Sequence, residues 1–304
     1  MKILITGIRG FIGAALAWAA DAQGHELVGV DQSAHGRALP TRVHAIEGDV
    51  TQPAGWREAL EGVDVVIHSA AMHHTDRIAE APIRSIEVNL RGTRLMLAAA
   101  AAAEVKRFVH LSSAKVYGEP LGIPSGEEDL VNPMEPYGMA KAVSEQYCRH
   151  YAAQSSMRCI SVRPFSVYGP RQDLTTGYIG QLIEAWLAGR PALLSGSPHF
   201  VRDLVHVDDV VDVCLAGAGD DCGVDIVNVG SGSATSLKDL VAEFTRLVGD
   251  GIDVQYTPAR PGTIQRTHAD IVRMSPLLGR SPIPLHVGLR QTIEWFGKAN
   301  RGAA

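Results

Sequence analysis

Short apolar runs alternate with longer segments of helical period through the first half of the chain. Runs rich in β-branched residues at 2–6, 26–31, 43–47, 63–69, 107–112 and 157–163 predict strands. Segments at 11–23, 55–61, 83–103, 137–154 and 178–188 predict helices, and the alanine tract Ala98–Ala103 reads as a tightly packed helix end. That alternation predicts an α/β fold, a doubly wound parallel sheet with helices on both faces. After Pro164 the elements shorten, with helices expected near 207–217, 236–248 and 288–299. These pieces predict a smaller C-terminal lobe, with the chain returning to the sheet near Leu204–Val207 and Ile226–Val229.

Two local patterns carry chemistry. The first strand runs into Gly7-Ile8-Arg9-Gly10-Phe11-Ile12-Gly13 and then a helix. Gly7 permits a tight turn, Gly10 admits a pyrophosphate without a Cβ in the way, and Gly13 lets helix lie close on strand. A phosphate there would meet the free N–H groups of a helix start. The second strand ends in Asp31, placed to accept from ribose hydroxyls and to repel a 2′-phosphate, so the expected cofactor is NAD rather than NADP. Further on, Tyr137 and Lys141 share one helix face a turn apart. A Lys ammonium there is expected to pull the phenol below its usual pKa of about 10, making Tyr137 a general base toward a sugar or alcohol hydroxyl. Ser113 is expected to supply a second hydrogen bond to the same substrate oxygen.

Together these residues resemble the extended short-chain dehydrogenase/reductase family, in its branch of NAD-dependent sugar-nucleotide epimerases and dehydratases. The likeness runs from Lys2 to about Trp295 and includes Gly48-Asp49-Val50, His68-Ser69-Ala70-Ala71, Val88-Asn89-Leu90-Arg91-Gly92-Thr93 and Leu111-Ser112-Ser113-Ala114-Lys115-Val116-Tyr117-Gly118. Arg163 to Arg171, Arg202 to Val210, Asn228-Val229-Gly230 and Arg260-Pro261-Gly262 complete it. The resemblance implies a Rossmann NAD-binding unit over 1–164, with returns near 202–230, and a mainly substrate-binding lobe over 165–304. It assigns cofactor contacts to Asp49, Val50, Ser69, Ala70, Ala71, Asn89, Tyr137, Lys141, Pro164 and Phe165, beside the Gly7–Gly13 loop and Asp31. Arg9 sits in that loop where NADPH-dependent GDP-fucose synthases also carry arginine; its alternative reading is a solvated surface residue. Arg202 and Arg260 map onto arginines that grip a nucleotide diphosphate, a role that suits a guanidinium fork.

Departures from the family pattern narrow the chemistry. Dehydratases carry an acidic pair just after the catalytic hydroxyl, and decarboxylases a Glu two residues after it; Ala114 and Lys115 stand here. The resemblance therefore implies a sugar-nucleotide 4-epimerase. Tyr137 takes the C4 hydroxyl proton, hydride passes to NAD, the 4-keto sugar reorients, and hydride returns to the other face. UDP-hexose is the expected substrate. A net sugar dehydrogenase or 4-keto reductase, and more remotely a non-catalytic dinucleotide sensor, are the alternatives. Ser166 replaces an Asn common among the relatives, which shortens the reach toward the nucleotide. Lys115 either enters the site, favouring an anionic sugar such as a uronate, or stays solvated.

Composition narrows the field further. An apolar share of 46% and a charged share of 20% are those of a globular protein. A net charge of −5 gives no support for nucleic-acid or anionic-membrane partners. The longest apolar stretch, Leu95 to Ala103, is far short of a bilayer span, and the first strand starts at residue 2, so a cytoplasmic protein without a signal peptide is expected. Cys148, Cys159, Cys214 and Cys222 form no Cys-x-x-Cys pair and are expected as reduced thiols. The adjacent residues His73-His74-Thr75-Asp76 do not have metal-site spacing, and no metal is expected. The helices at 83–103 and 137–154 correspond to those that form the family's dimeric four-helix bundle, so the expected assembly is a homodimer.

Overall fold

The computed structural model describes residues 1–219, 222–249, 251–260 and 262–302. Its strands are β1 (Lys2–Thr6), β2 (Glu26–Asp31), β3 (His44–Glu47), β4 (Val65–His68), β5 (Arg107–Leu111), β6 (Arg158–Pro164), β7 (Ser166–Tyr168), β8 (Ala192–Ser195), β9 (Val201–His206), β10 (Ile226–Val229), β11 (Ala234–Ser236) and β12 (Val254–Thr257). The α-helices are α1 (Phe11–Ala22), α2 (Thr75–Glu80), α3 (Pro82–Ile86), α4 (Thr93–Ala102), α5 (Pro136–Gln154), α6 (Gly177–Leu187), α7 (Val207–Gly217), α8 (Leu237–Val248), α9 (Met274–Leu278) and α10 (Leu285–Gly302).

Seven strands form one sheet in the order β10-β6-β5-β4-β1-β2-β3, and every pair in it is parallel. Read from β3 to β6 this is the 3-2-1-4-5-6 order of dinucleotide-binding sheets, whose direction of winding reverses between β1 and β4. Both faces are covered, which explains the unbroken apolar runs. Ile3 and Ile5 pack with Leu16 of α1 and Val210 and Cys214 of α7. Leu4, between them, points the other way, to Met96 and Leu97 of α4 and Cys148 of α5. A third core lies in the C-terminal part, where Leu182, Leu194, Leu240, Phe244 and Leu289 meet.

Three expectations are corrected. The helix at 55–61 is instead two short 3₁₀ turns, Pro53–Gly55 and Arg57–Leu60, interrupted at Trp56, whose indole is tied to the Asp49 carbonyl at 2.8 Å. The helix at 83–103 is broken by a widened turn at Glu87–Gly92, where buried Asn89 is held by Met72 and its carbonyl accepts from Thr93 and Ser144. The return near Leu204–Val207 does not join the main sheet: β9 pairs with β7 and β11 in a separate three-stranded sheet. Phe165 N–H bonds to the Val229 carbonyl at 2.9 Å, after which β7 leaves the sheet and offers β9 its edge. The return at Ile226–Val229 does join it, as the strand beyond β6. No helix among the described residues is long and apolar enough to cross a membrane.

Candidate active site

The turn after β1 has no room for side chains. Gly7 has φ 65°, and a Cβ there would lie 2.8 Å from Ala70 Cα. A Cβ on Gly10 would lie 3.0 Å, and one on Gly13 2.1 Å, from the Gly7 carbonyl oxygen, so α1 can start against this turn only with glycine. No side chain caps α1, which leaves its first N–H groups for an anion. Phe11 and Ile12 pack partly against the sheet core beneath. Ser69 donates to the Thr6 carbonyl at 2.6 Å and Ala70 N–H to Thr6 Oγ1 at 3.1 Å, so small residues through Ala71 form the second rim of the cradle. At the end of β2, Asp31 accepts from Arg9 N–H at 2.9 Å and Ser33 N–H at 3.3 Å, which holds its carboxylate beside the turn. The arrangement fits a dinucleotide. Its pyrophosphate would lie on the glycines and its ribose hydroxyls would meet Asp31.

Other predicted contacts are committed within the protein. Asp49 is ion-paired with Arg84 and accepts from Thr51 N–H at 2.8 Å. Val50 is buried, and a Cβ on Gly92 would lie 2.7 Å from its Cγ2. Asn89 exchanges two 2.8 Å bonds with the Met72 backbone and so shapes the segment after β4. The Arg9 guanidinium reaches the Arg37 carbonyl at 3.5 Å. Pro164 ends β6, and the Phe165 ring lies 6.4 Å from that of Tyr117.

Pro136 opens α5 at a position where its missing N–H costs nothing, and Tyr137 follows. One turn on, Lys141 is 1% exposed; its Nζ donates to the Leu111 carbonyl at 2.5 Å and lies 5.7 Å from the Tyr137 ring centroid. Ser113 follows β5, and its Oγ accepts from Lys115 N–H at 3.2 Å. A Cβ on Gly138 would lie 2.5 Å from the Lys115 carbonyl oxygen, so this glycine brings the Ser113 turn against the start of α5. The expected ionisation of Tyr137 is reversed. Burial raises the phenol above its ordinary value and Glu135 adds to that, while burial lowers the Lys141 ammonium to about 8.

Arg202, Arg260 and Ser166 come from other elements, whereas Lys115 stays beside the base, its Nζ 5.7 Å from the Tyr137 ring centroid. Arg202 is stacked between Tyr178 and Phe200 and donates to the carbonyls of Val201, Ile264 and Gln265. Arg260 pairs with Asp76 of α2 at 2.6 Å, both exposed. Ser166 is half-buried on β7 opposite Leu204. Lys115 is ion-paired with Glu135.

Residues 3–230 match the model of the NAD dependent epimerase/dehydratase family. The UDP-glucose 4-epimerase of Mycolicibacterium smegmatis is 34% identical, covering 97% of this chain and 98% of its own. The chain belongs to this family. Among solved structures, MoeE5 in complex with UDP-glucose and NAD is 32% identical with a TM-score of 0.90, over 98% of this chain and 99% of its own. The UDP-glucose 4-epimerase of Thermotoga maritima, solved with UDP-glucose, is 28% identical with a TM-score of 0.93, over 98% and 99% of the two chains.

Several positions that shape this epimerase/dehydratase-family site escaped the sequence reading. Glu145, one turn beyond Lys141, takes two bonds from Arg163 at 2.9 and 2.7 Å and one from Ser112 at 2.5 Å. Arg163 also donates to the Tyr117 hydroxyl at 2.8 Å, which donates to Asn228 at 2.7 Å. The spacing Tyr137-Lys141-Glu145 was the available signal, a stripe at i, i+4, i+8. Asp203, fully buried, accepts from Ser231, Gly232 and Ala269 and pins β9 to two loops. Glu135 was visible only as an ordinary loop residue, and His73 only within the His73–Asp76 run set aside as a metal site.

Proposed function

We propose that this protein is an NAD-dependent UDP-hexose 4-epimerase. The observation that carries it is the wall formed by Tyr137 and Lys141 against the Ser113 turn, with Ala114 and an ion-paired Lys115 where an eliminating enzyme needs free carboxylates. NAD held by the glycine turn and Asp31 supplies the hydride acceptor and donor. Tyr137 accepts the proton of the C4 hydroxyl, the Lys141 ammonium opposing the upward push that burial gives its phenol, and Ser113 bonds the same oxygen. Arg202, Arg260 and Ser166 are proposed to hold the nucleotide diphosphate, with residues 1–164 and the β10 return holding NAD. Engagement of Lys115 by Glu135 favours a neutral hexose.

The test is incubation of the purified protein and NAD with UDP-glucose and UDP-galactose, following product stereochemistry and NADH absorbance. Interconversion from either side without net NADH is expected. NADH accumulating in step with substrate would make the protein a dehydrogenase instead.

We also propose a homodimer. Ile83 and Ile86 of α3 and Met139 and Val143 of α5 are exposed apolar residues on helices that pack together, as a second copy would require. Light scattering should give twice the chain mass, and Val143→Glu should shift it toward one. The free thiols of Cys148, Cys159, Cys214 and Cys222 accord with a reducing, cytoplasmic setting.

A further inference from the structure

The base has a second ammonium beside it. Lys115 Nζ lies 5.7 Å from the Tyr137 ring centroid, the same distance as Lys141 Nζ. The two lysines differ in setting. Lys141 is buried on a backbone carbonyl, whereas Lys115 is half-buried and ion-paired with Glu135. Glu135 is the N-cap residue of α5, two positions before the base, yet its side chain makes no capping bond to the helix. Its carboxylate is given to Lys115 instead. The contact at Gly138 locks the Lys115 turn onto the start of α5, so both members of the pair are anchored to the elements that present Tyr137.

We propose that the Lys115–Glu135 ion pair is a positioning pair for the base, its ammonium favouring the Tyr137 phenolate and its carboxylate opposing it. The inference rests on Tyr137 being the base of the proposed epimerisation. The charged and titratable groups around Tyr137 are few. Lys141 comes from its own helix, Glu135 from that helix's cap, and Lys115 from the turn after β5. The segment after β4 contributes His73, which feels both lysines, and His74, whose Nε2 lies 3.7 Å from Asp173. His73 is held below its ordinary pKa, first by desolvation and then by His74 and Lys115, so it is neutral when the base works. Among the described residues, Lys141, Lys115 and Glu135 are the charges carried by the elements that present the phenol. Glu135 already acts on it in the expected sense, second to burial. Opposed charges on one side of a phenol make a sensitive device, because losing either unmasks the other.

The experiment titrates Tyr137 in NAD-loaded protein by tyrosinate ultraviolet absorbance, each variant being subtracted against its Tyr137→Phe counterpart. Lys115→Met should move the midpoint up by about one pH unit and Glu135→Gln down by about one. The acid limb of kcat/KM should move in the same two directions. Lys115→Arg, which keeps the charge, should restore the wild-type midpoint and guards against a merely structural effect. Midpoints that stay within about 0.2 pH unit of wild type, or that both move the same way, overturn the proposal. Turnover is read separately. Midpoints that split as expected in a protein inactive on every UDP-hexose would end the epimerase reading and leave the electrostatic role standing. An active epimerase with unmoved midpoints would end only the role of the pair.

Discussion

Two ion pairs of this molecule, one buried and one exposed, use charge in opposite ways. Behind the base, Arg163 and Glu145 are 1% and 2% exposed and every bond between them is made inside the fold. At the surface, Arg260 and Asp76 are 60% and 75% exposed and join two segments far apart in sequence. Desolvation separates the two cases. A buried pair is fixed by the cost of leaving either charge alone, so it can hold α5, and with it Tyr137 and Lys141, in one register against β6. An exposed pair is screened by water and worth little, so the phosphate contact proposed for Arg260 would require only the loss of Asp76, at small cost.

The largest effect should come from splitting the buried pair. Glu145→Ala leaves the Arg163 guanidinium uncompensated in the core and should cost about 3–5 kcal/mol in urea unfolding. Asp76→Ala should change stability by less than about 0.5 kcal/mol. Equal losses in the two variants would erase the distinction. Next comes Tyr137→Phe, which should lower kcat by about 1000-fold or more while leaving NAD affinity and stability near wild type.

A smaller and opposite effect is expected at His110, buried with no hydrogen-bond partner for either ring nitrogen among the described residues and held well below its ordinary pKa, chiefly by burial. His110→Leu removes an unsatisfied polar group and should stabilise the protein by about 1–2 kcal/mol at neutral pH. It should also reduce acid sensitivity. Its neighbour His68 stays neutral in the folded chain down to about 3 but protonates near 6.5 when unfolded. Stability held by such histidines is therefore complete above pH 6.5 and lost as pH falls from there toward 3. Removing one should flatten that slope, as denaturation midpoints measured across this range would show. The smallest effect belongs to the exposed pair. Asp76→Asn should lower KM for a UDP-sugar by about two- to threefold with kcat unchanged, because Arg260 no longer has to leave a partner.

The same contrast explains what could be read from the chain alone. The glycine turn, Asp31 and the Tyr137–Lys141 spacing are local, set by the geometry of one turn or one helix, and the structure places them as expected. The ionisation of Tyr137 was not legible, since it depends on burial by segments distant in sequence and then on Glu135, both of which raise the phenol. Nor was the break in the helix at 83–103, which follows from Asn89 meeting the backbone of Met72. The partnership of Lys115 with Glu135 needed the contact at Gly138 to bring two loops together. β9 read correctly as a strand but not as a partner, because an apolar run does not say which edge it will join.

The epimerase reading is tested most directly by the fate of the hydrogen on C4. UDP-glucose carrying deuterium at C4 should give UDP-galactose that keeps the label at C4, with none in solvent and none accumulating on NADH, and Tyr137→Phe should give almost no product. Deuterium lost to water, or trapped stoichiometrically on NADH, would contradict it.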